Sequence, residues 1–192
     1  MTSTLQRVAD LRLRSSAGPT RTRVWWPLAP GDGPTGLLLV FVDAAVEAPW
    51  LRELASLAQL VIVAAPCAPG PDAVVRAGRR DATTALEWAG GHARQLEADP
   101  DRLLVGGVGI GAALADAAAQ EAAERGWPRL THRILIPLGA APPEPGIAAA
   151  PAIVVTVGED DPWPGDHELC YDALDGDRLA GDLAHTLAGC RS

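Results

Sequence analysis

The chain has 192 residues, a net charge of −8 and a sequence pI near 4.9. Hydrophobic residues make up 48% and charged residues 21%, a composition typical of globular rather than disordered proteins. The length suffices for one sizeable core, so we predict a single soluble domain over residues 1–192. The acidic balance and the scattered basic residues argue against nucleic acid or an anionic membrane surface as partners.

Neither the first twenty residues nor the cysteines indicate secretion. The first twenty residues contain several charged side chains and no apolar run of the signal-peptide kind. The most apolar stretch, residues 103–119, contains Asp116 and several glycines, so we expect no membrane span. The three cysteines are widely spaced and odd in number, which favours a reducing cytoplasm over a disulfide framework. No Cys/His spacing resembles a metal site, and we expect neither a metal nor another cofactor.

Signals for strands and helices alternate along the chain. The predicted strands are residues 8–14, 21–26, 37–42, 60–64, 102–105, 130–138 and 152–157. The predicted helices are residues 50–57, 77–97, about 112–125, and 179–188. Residues 167–174 are either an eighth strand after a deleted helix or a helix beside a lost strand. The order predicts an α/β fold, a mostly parallel sheet with helices on both faces, whose ligands sit beyond the carboxyl ends of the strands.

Several segments together resemble one enzyme family. Residues 99–107 read Asp-Pro-Asp-Arg-Leu-Leu-Val-Gly-Gly, similar to the run into the nucleophile elbow of hormone-sensitive-lipase-like α/β-hydrolases, the bacterial carboxylesterases. Residues 61–69 and 74–86 are similar to the strand, Leu-Ala-Pro segment and long helix that precede that elbow. Residues 151–161 resemble the strand that delivers the acid of the catalytic triad. The resemblance spans about residues 8–165 and implies an α/β-hydrolase-like fold.

The chain departs from this family at the nucleophile. The family elbow reads Gly-Asp-Ser-Ala-Gly-Gly, and the resemblance places Gly109 where the serine belongs. A glycine keeps the strand-to-helix turn but supplies no side-chain oxygen. The spacing Gly107-x-Gly109-x-Gly111 also fits a dinucleotide fingerprint, but its mid-chain position and the offset from Gly106 favour the elbow.

The other catalytic elements of the family are altered as well. Its oxyanion motif His-Gly-Gly-Gly corresponds to Asp43-Ala44-Ala45-Val46, and a carboxylate there opposes an oxyanion. His185 lies downstream, but in the predicted last helix rather than in the family's Pro-Gly-x-x-His-Gly loop. Residues 139–151 form a short Pro/Ala loop where the family inserts a cap, so we expect a more open, lidless site.

The candidate site is therefore assembled from the carboxyl edge of the sheet. Its tentative acid/base residues are Asp43, Asp160 and Asp161, and Gly109 is the vacant nucleophile position. Its predicted substrate-binding residues are Ala44, Ala45, Trp50, Val108, Ile110 and Trp163. Trp50 and Trp163 fit equally well a role in covering the sheet in place of a lid.

Three functions remain open. The first is a pseudoenzyme that binds a small hydrophobic molecule or a protein partner. The second is a cyclase or lyase of biosynthesis, which needs a shaped pocket and an acid/base but no nucleophile. The third is a residual carboxylic-ester hydrolase with displaced catalytic residues. A truncated sheet edge also favours a homodimer.

Overall fold

The computed structural model describes residues 6–15, 18–28, 35–43, 49–67, 72–138, 150–157, 163, 165–173 and 175–190. Its strands are β1 (Val8–Ser15), β2 (Gly18–Trp25), β3 (Gly36–Asp43), β4 (Leu60–Cys67), β5 (Leu103–Val108), β6 (His132–Ile136), β7 (Ala152–Val157) and β8 (His167–Tyr171). They form one eight-stranded sheet in the order β1-β2-β4-β3-β5-β6-β7-β8. β2 is antiparallel to both of its neighbours, and all other pairs are parallel. The predicted α/β class with a mostly parallel sheet is confirmed.

Helices cover both faces of this sheet. They are α1 (Pro49–Leu57), α2 (Asp72–His92), α3 (Ile110–Arg125) and α4 (Gly176–Gly189), with a 3-10 turn at Ala93–Leu96. Helices α2 and α3 pack on one face, and α1 and α4 pack together on the other. No helix in the described ranges is long and apolar enough to span a membrane.

The apolar side chains of the buried strand β3 contribute to two cores, one on each face of the sheet. Leu37, Leu39 and Phe41 belong to the core under α2 and α3. Leu38 and Val40 belong to the core under α1 and α4. Because side chains alternate between the faces of a strand, a strand covered on both sides must be apolar at every position.

Residues 167–171 form the edge strand β8, which decides between the two readings of residues 167–174. Nine residues, 158–166, connect β7 to β8. Trp163, in this connection, is 3% exposed and belongs to the core under α2 and α3. Glu168 and Cys170 of β8 are exposed.

A buried ion pair joins α3 to β6. An Arg133 guanidinium nitrogen contacts the Asp116 carboxylate, and both side chains are largely buried. The Arg133 Nε donates to the Ala150 carbonyl over 2.6 Å, and the Gln120 amide donates to Asp116 over 2.7 Å. Both carboxylate oxygens of Asp116 and two nitrogens of Arg133 thus have polar partners, as buried charges require.

Candidate functional site

A single residue, Gly109, connects β5 to α3. Its φ of 59° and ψ of −126° lie in a region that L side chains rarely adopt. The Gly109 N–H donates to the Ile136 carbonyl over 2.8 Å, and the Gly109 carbonyl accepts from the Ala112 N–H over 3.0 Å. The strand therefore passes into the helix through one sharply turned residue, the geometry that exposes a nucleophile in a G-x-S-x-G elbow.

The glycines on either side of this turn are held in close contact with backbone. A Cβ on Gly107 would lie 1.9 Å from the Gly111 oxygen, and a Cβ on Gly111 would lie 2.2 Å from the Phe41 oxygen. A Cβ on Gly109, in contrast, would meet no atom of the described residues within 4 Å. The flanking glycines are required by packing, whereas a side chain at position 109 has no close neighbour in that part of the chain.

The sheet register sets the surroundings of this turn. Phe41 of β3 pairs with Gly107 of β5, so the backbone of Asp43 ends beside Gly109. Asp43 also pairs in register with Cys67 of β4, which is buried as the sequence indicated. The side chain of Asp43, and the predicted site residues Ala44, Ala45, Asp160 and Asp161, lie outside the described residues.

A strained apolar residue follows the neighbouring strand β6. Leu138 has a φ of 48° and is 48% exposed. A bulky residue in the left-handed region costs roughly 1–2 kcal/mol, and such strain is concentrated at ligand sites and switches. Sequence patterns did not identify Leu138, because a left-handed leucine has no compositional signal.

The predicted substrate-binding residues differ in their burial. Val108 is 8% exposed at the end of β5, and Ile110 is half-buried at the start of α3, so both flank Gly109. Trp50 is 7% exposed in the core under α1 and α4, where its Cβ would lie 3.1 Å from a Cβ on Gly176. Trp50 and Trp163 are thus core residues on opposite faces of the sheet, consistent with the covering role left open above.

All four histidines lie on parts of the fold remote from the carboxyl edge. His132 and His167 begin β6 and β8, at the amino edge. His92 ends α2 and stacks on Trp88 with ring centroids 5.0 Å apart. His185 is exposed near the end of α4, whose following Cys190 Sγ contacts His167 Nε2 over 3.3 Å.

Two residues at strand termini have shifted pKa values: His132 begins β6 and Tyr171 ends β8. Burial lowers the pKa of His132, and the charges of His167 and Arg102 lower it further. Burial raises the pKa of Tyr171 to about 12, and its hydroxyl donates to the Asp182 carboxylate over 2.8 Å. Among the residues that the structure describes, no three His, Cys, Asp or Glu side chains are placed to hold a metal ion.

A family model described as alpha/beta hydrolase fold matches residues 38–150, which is more than half of the chain. The chain belongs to this α/β-hydrolase family. Esterase LipI from Mycobacterium tuberculosis (strain ATCC 25618 / H37Rv) is 30% identical over 137 residues, 67% of this chain and 43% of that protein. The chain therefore spans less than half the length of this curated relative. The resemblance to hormone-sensitive-lipase-like carboxylesterases is confirmed.

Solved structures of esterases share the fold of this α/β-hydrolase family member. Esterase LipW from Mycobacterium marinum superposes with a TM-score of 0.73 at 20% identity, covering 98% of this chain and 83% of that chain. The hyperthermophilic esterase from the archaeon Pyrobaculum calidifontis superposes with a TM-score of 0.71 at 18% identity, covering 96% and 84%. At such identities the likeness concerns the fold alone.

Proposed function

We propose that this α/β-hydrolase family member is a pseudoenzyme that binds a small hydrophobic molecule at the carboxyl edge of its sheet, without a serine nucleophile. The observation that carries this proposal is the glycine at position 109, in the sharp turn between β5 and α3. Ester hydrolysis at an elbow needs a side-chain oxygen on that turn, and glycine has none.

The positions of the histidines support the same function. A general base must lie within hydrogen-bond reach of the proton that it removes, about 2.6–3.2 Å between heavy atoms. His132 and His167 begin their strands at the amino edge, opposite the turn at Gly109. Residues 172–175, between β8 and α4, read Asp-Ala-Leu-Asp and contain no histidine.

The ligand class follows from the residues around the turn. Val108 and Ile110 flank Gly109 and are apolar, and the strained Leu138 presents an exposed apolar side chain after the neighbouring strand. Among the residues that the structure describes, none lies within 4 Å of a Cβ at position 109, which leaves room for a ligand group where an elbow side chain would project. Apolar surface of this kind binds uncharged, hydrophobic molecules.

The test combines catalysis and binding. We expect the purified protein neither to hydrolyse p-nitrophenyl butyrate nor to be labelled by a serine-directed phosphonate probe. Gly109→Ser alone is expected to remain inactive, because no histidine lies at the turn to activate the hydroxyl. Native turnover that survives repurification would overturn the proposal and indicate a residual esterase with displaced residues.

Binding is measured on the same ester by isothermal titration calorimetry. Leu138→Asp is expected to weaken binding of p-nitrophenyl butyrate, because it places a carboxylate beside the turn. Leu57→Asp is the matched control, since Leu57 is 51% exposed but lies at the end of α1. Equal affinity in both variants would contradict the proposed location of the ligand.

A second function, proton transfer by a cyclase or lyase, has one observation in its favour. The register of β3 and β5 brings the backbone of Asp43 beside Gly109, so a carboxylate is available at the same edge. The probe is 5-nitrobenzisoxazole, whose ring opens when a base removes its C3 proton. This function requires turnover that Asp43→Asn abolishes and that Asp101→Asn, at an exposed position before β5, retains.

A further inference from the structure

The hairpin of β1 and β2 carries an arginine face. We define this face by Arg12, Arg14, Arg21 and Arg23, all of them exposed. Arg12 lies directly opposite Arg21 in the antiparallel register, and Asp10 lies opposite Arg23. Residues directly opposite each other on one face have Cβ atoms about 4.5–5.5 Å apart, so the guanidinium groups are concentrated in a small area.

The arginine face keeps an excess of positive charge. Asp10 accepts from Arg21 over 2.5 Å and from Arg23 over 3.1 Å. Arg12 and Arg14 have no ion-pair partner among the described residues. Like charges directly opposite on a sheet are destabilising, and this concentration occurs in a protein whose net charge is −8. Such a face is stabilised when an acidic surface covers it.

The opposite edge of the same sheet is acidic. We define this acidic edge by three exposed carboxylates at the end of β8 and the start of α4: Asp172, Asp175 and Asp177. The one arginine in the described residues 165–182 is Arg178, which pairs with Asp182 over 3.5 Å. The molecule is therefore electrically polarised along its sheet, positive at β1 and negative at β8.

Both charged regions lie at the edge strands of the sheet. β1 and β8 are the outer strands of the sheet, and unpaired backbone groups of edge strands invite another chain. The pairing directions make β1 run parallel to β8, so continuing the sheet into a second molecule would set β1 parallel to β8.

The arginine face also lies on the side of the sheet that fits such a continuation. Leu11 packs against the core under α2 and α3, so the alternating Arg12 and Arg14 point to the side of α1 and α4. The acidic α4 start lies on that same side. A neighbouring molecule that continues the sheet would thus bring Asp175 and Asp177 toward the arginine face.

We propose that the arginine face of one molecule binds the acidic edge of a second copy, head to tail. Charge selects this arrangement over symmetric dimers. A symmetric contact through β1 would oppose arginines to arginines, and one through β8 would oppose carboxylates to carboxylates. A head-to-tail contact opposes unlike charges, leaves one free edge on each outer molecule and allows further copies to add.

Sedimentation velocity over a concentration series tests the proposal on the full chain. At about 0.01 M salt, where the screening length is about 30 Å, we expect the sedimentation coefficient to rise with protein concentration. At about 1 M salt, where that length is about 3 Å, we expect the monomer value throughout. A monomer at both salt concentrations overturns the proposal, and so does a dimer that does not respond to salt.

Charge reversal separates the head-to-tail contact from any symmetric one. Variant one carries Arg12→Glu with Arg14→Glu, and variant two carries Asp172→Arg with Asp177→Arg. Each alone is expected to stay monomeric, because both of its edges then have the same sign. An equimolar mixture is expected to associate again, because variant one keeps the native acidic edge and variant two keeps the native arginine face.

A control variant excludes an effect of net charge. Arg80→Glu with Arg129→Glu changes the charge as much as variant one, at exposed positions on α2 and before β6, and is expected to associate like the native protein. Circular dichroism checks that every variant is folded. A mixture that stays monomeric overturns the proposal, as does binding of an oligonucleotide to the arginine face without self-association.

Discussion

The carboxyl edge and the amino edge of the sheet offer different parts of what a nucleophilic enzyme needs. At the carboxyl edge, Gly109 forms the sharp strand-to-helix turn, but the turn carries no reactive side chain. At the amino edge, Cys190 Sγ lies 3.3 Å from His167 Nε2, but both groups lie outside any comparable turn. The contrast teaches that backbone packing can hold a sharp strand-to-helix turn without any reactive side chain on it.

The largest effect on stability is expected from a substitution that disturbs the turn between β5 and α3. Gly107→Ala forces a Cβ to within 1.9 Å of the Gly111 oxygen, so α3 must shift. We expect a loss of about 4–5 kcal/mol in the free energy of unfolding, at the upper end for single substitutions. Gly109→Ala is the matched control: it adds a Cβ that meets no described residue within 4 Å and should cost roughly 1–2 kcal/mol through its positive φ. Urea titration monitors both, and equal losses would contradict the close-packed turn.

The ion pair between Asp116 of α3 and Arg133 of β6 joins the helix that follows the turn to the neighbouring strand. Asp116→Ala leaves the largely buried Arg133 without its carboxylate. We expect a loss of about 3 kcal/mol, at the lower end for breaking a buried pair, because the Ala150 carbonyl still accepts from Arg133. Glu124→Ala on the exposed side of α3 should change stability little. A similar loss in both variants, measured by urea titration, would show that helix propensity rather than the ion pair is responsible.

A smaller effect is expected at Tyr171, which ends β8 at the carboxyl edge. Removing its hydroxyl in Tyr171→Phe should cost about 1 kcal/mol near neutral pH, because the bond to Asp182 is lost. The folded pKa of about 12 exceeds the ordinary value of 10.0, so the native protein should lose stability as pH rises from 10 to 12. The difference in stability between native protein and variant should shrink over that range, and a constant difference would contradict the raised pKa.

The smallest predicted effect concerns the amino edge. The pKa of His132 is lowered from 6.5 in the folded protein, so the unfolded chain takes up its proton first as pH falls. Stability should therefore decline as pH drops below 6.5 toward the lowered pKa. His132→Gln should flatten this decline, whereas His185→Gln, on an exposed face of α4, should leave it unchanged. Thermal unfolding measured at pH 6.5 and at successively lower pH distinguishes the two variants.

Sequence patterns predicted most of the fold because the central strands are strongly apolar. The expected strand at residues 37–42 lies within β3, and the expected strand at 152–157 coincides with β7. β8 could not be distinguished from a helix, because it is an edge strand with exposed residues on both sides of its pleat. Its burial depends on α4 packing on one face, which is tertiary information.

The site was predictable only in its backbone. The resemblance to the family's nucleophile elbow placed a turn at Gly109, and the structure confirms a strand-to-helix turn there. The apolar character of Trp50 and Trp163 fitted a pocket or a core equally well, and only packing against α4 and against the α2–α3 core separates the two. The strain at Leu138 depends on a backbone angle that leucine itself does not favour.

The positive φ at Gly109 has a consequence for how this chain can change. A side chain held in such a conformation destabilises the folded state by roughly 1–3 kcal/mol, a strain that enzymes tolerate at active sites. Glycine avoids this strain, so selection for stability alone favours glycine at position 109. A serine at this position would lower stability, and no histidine lies beside the turn to activate its hydroxyl. The backbone angle at position 109 therefore favours glycine whatever ligand or reaction the site serves.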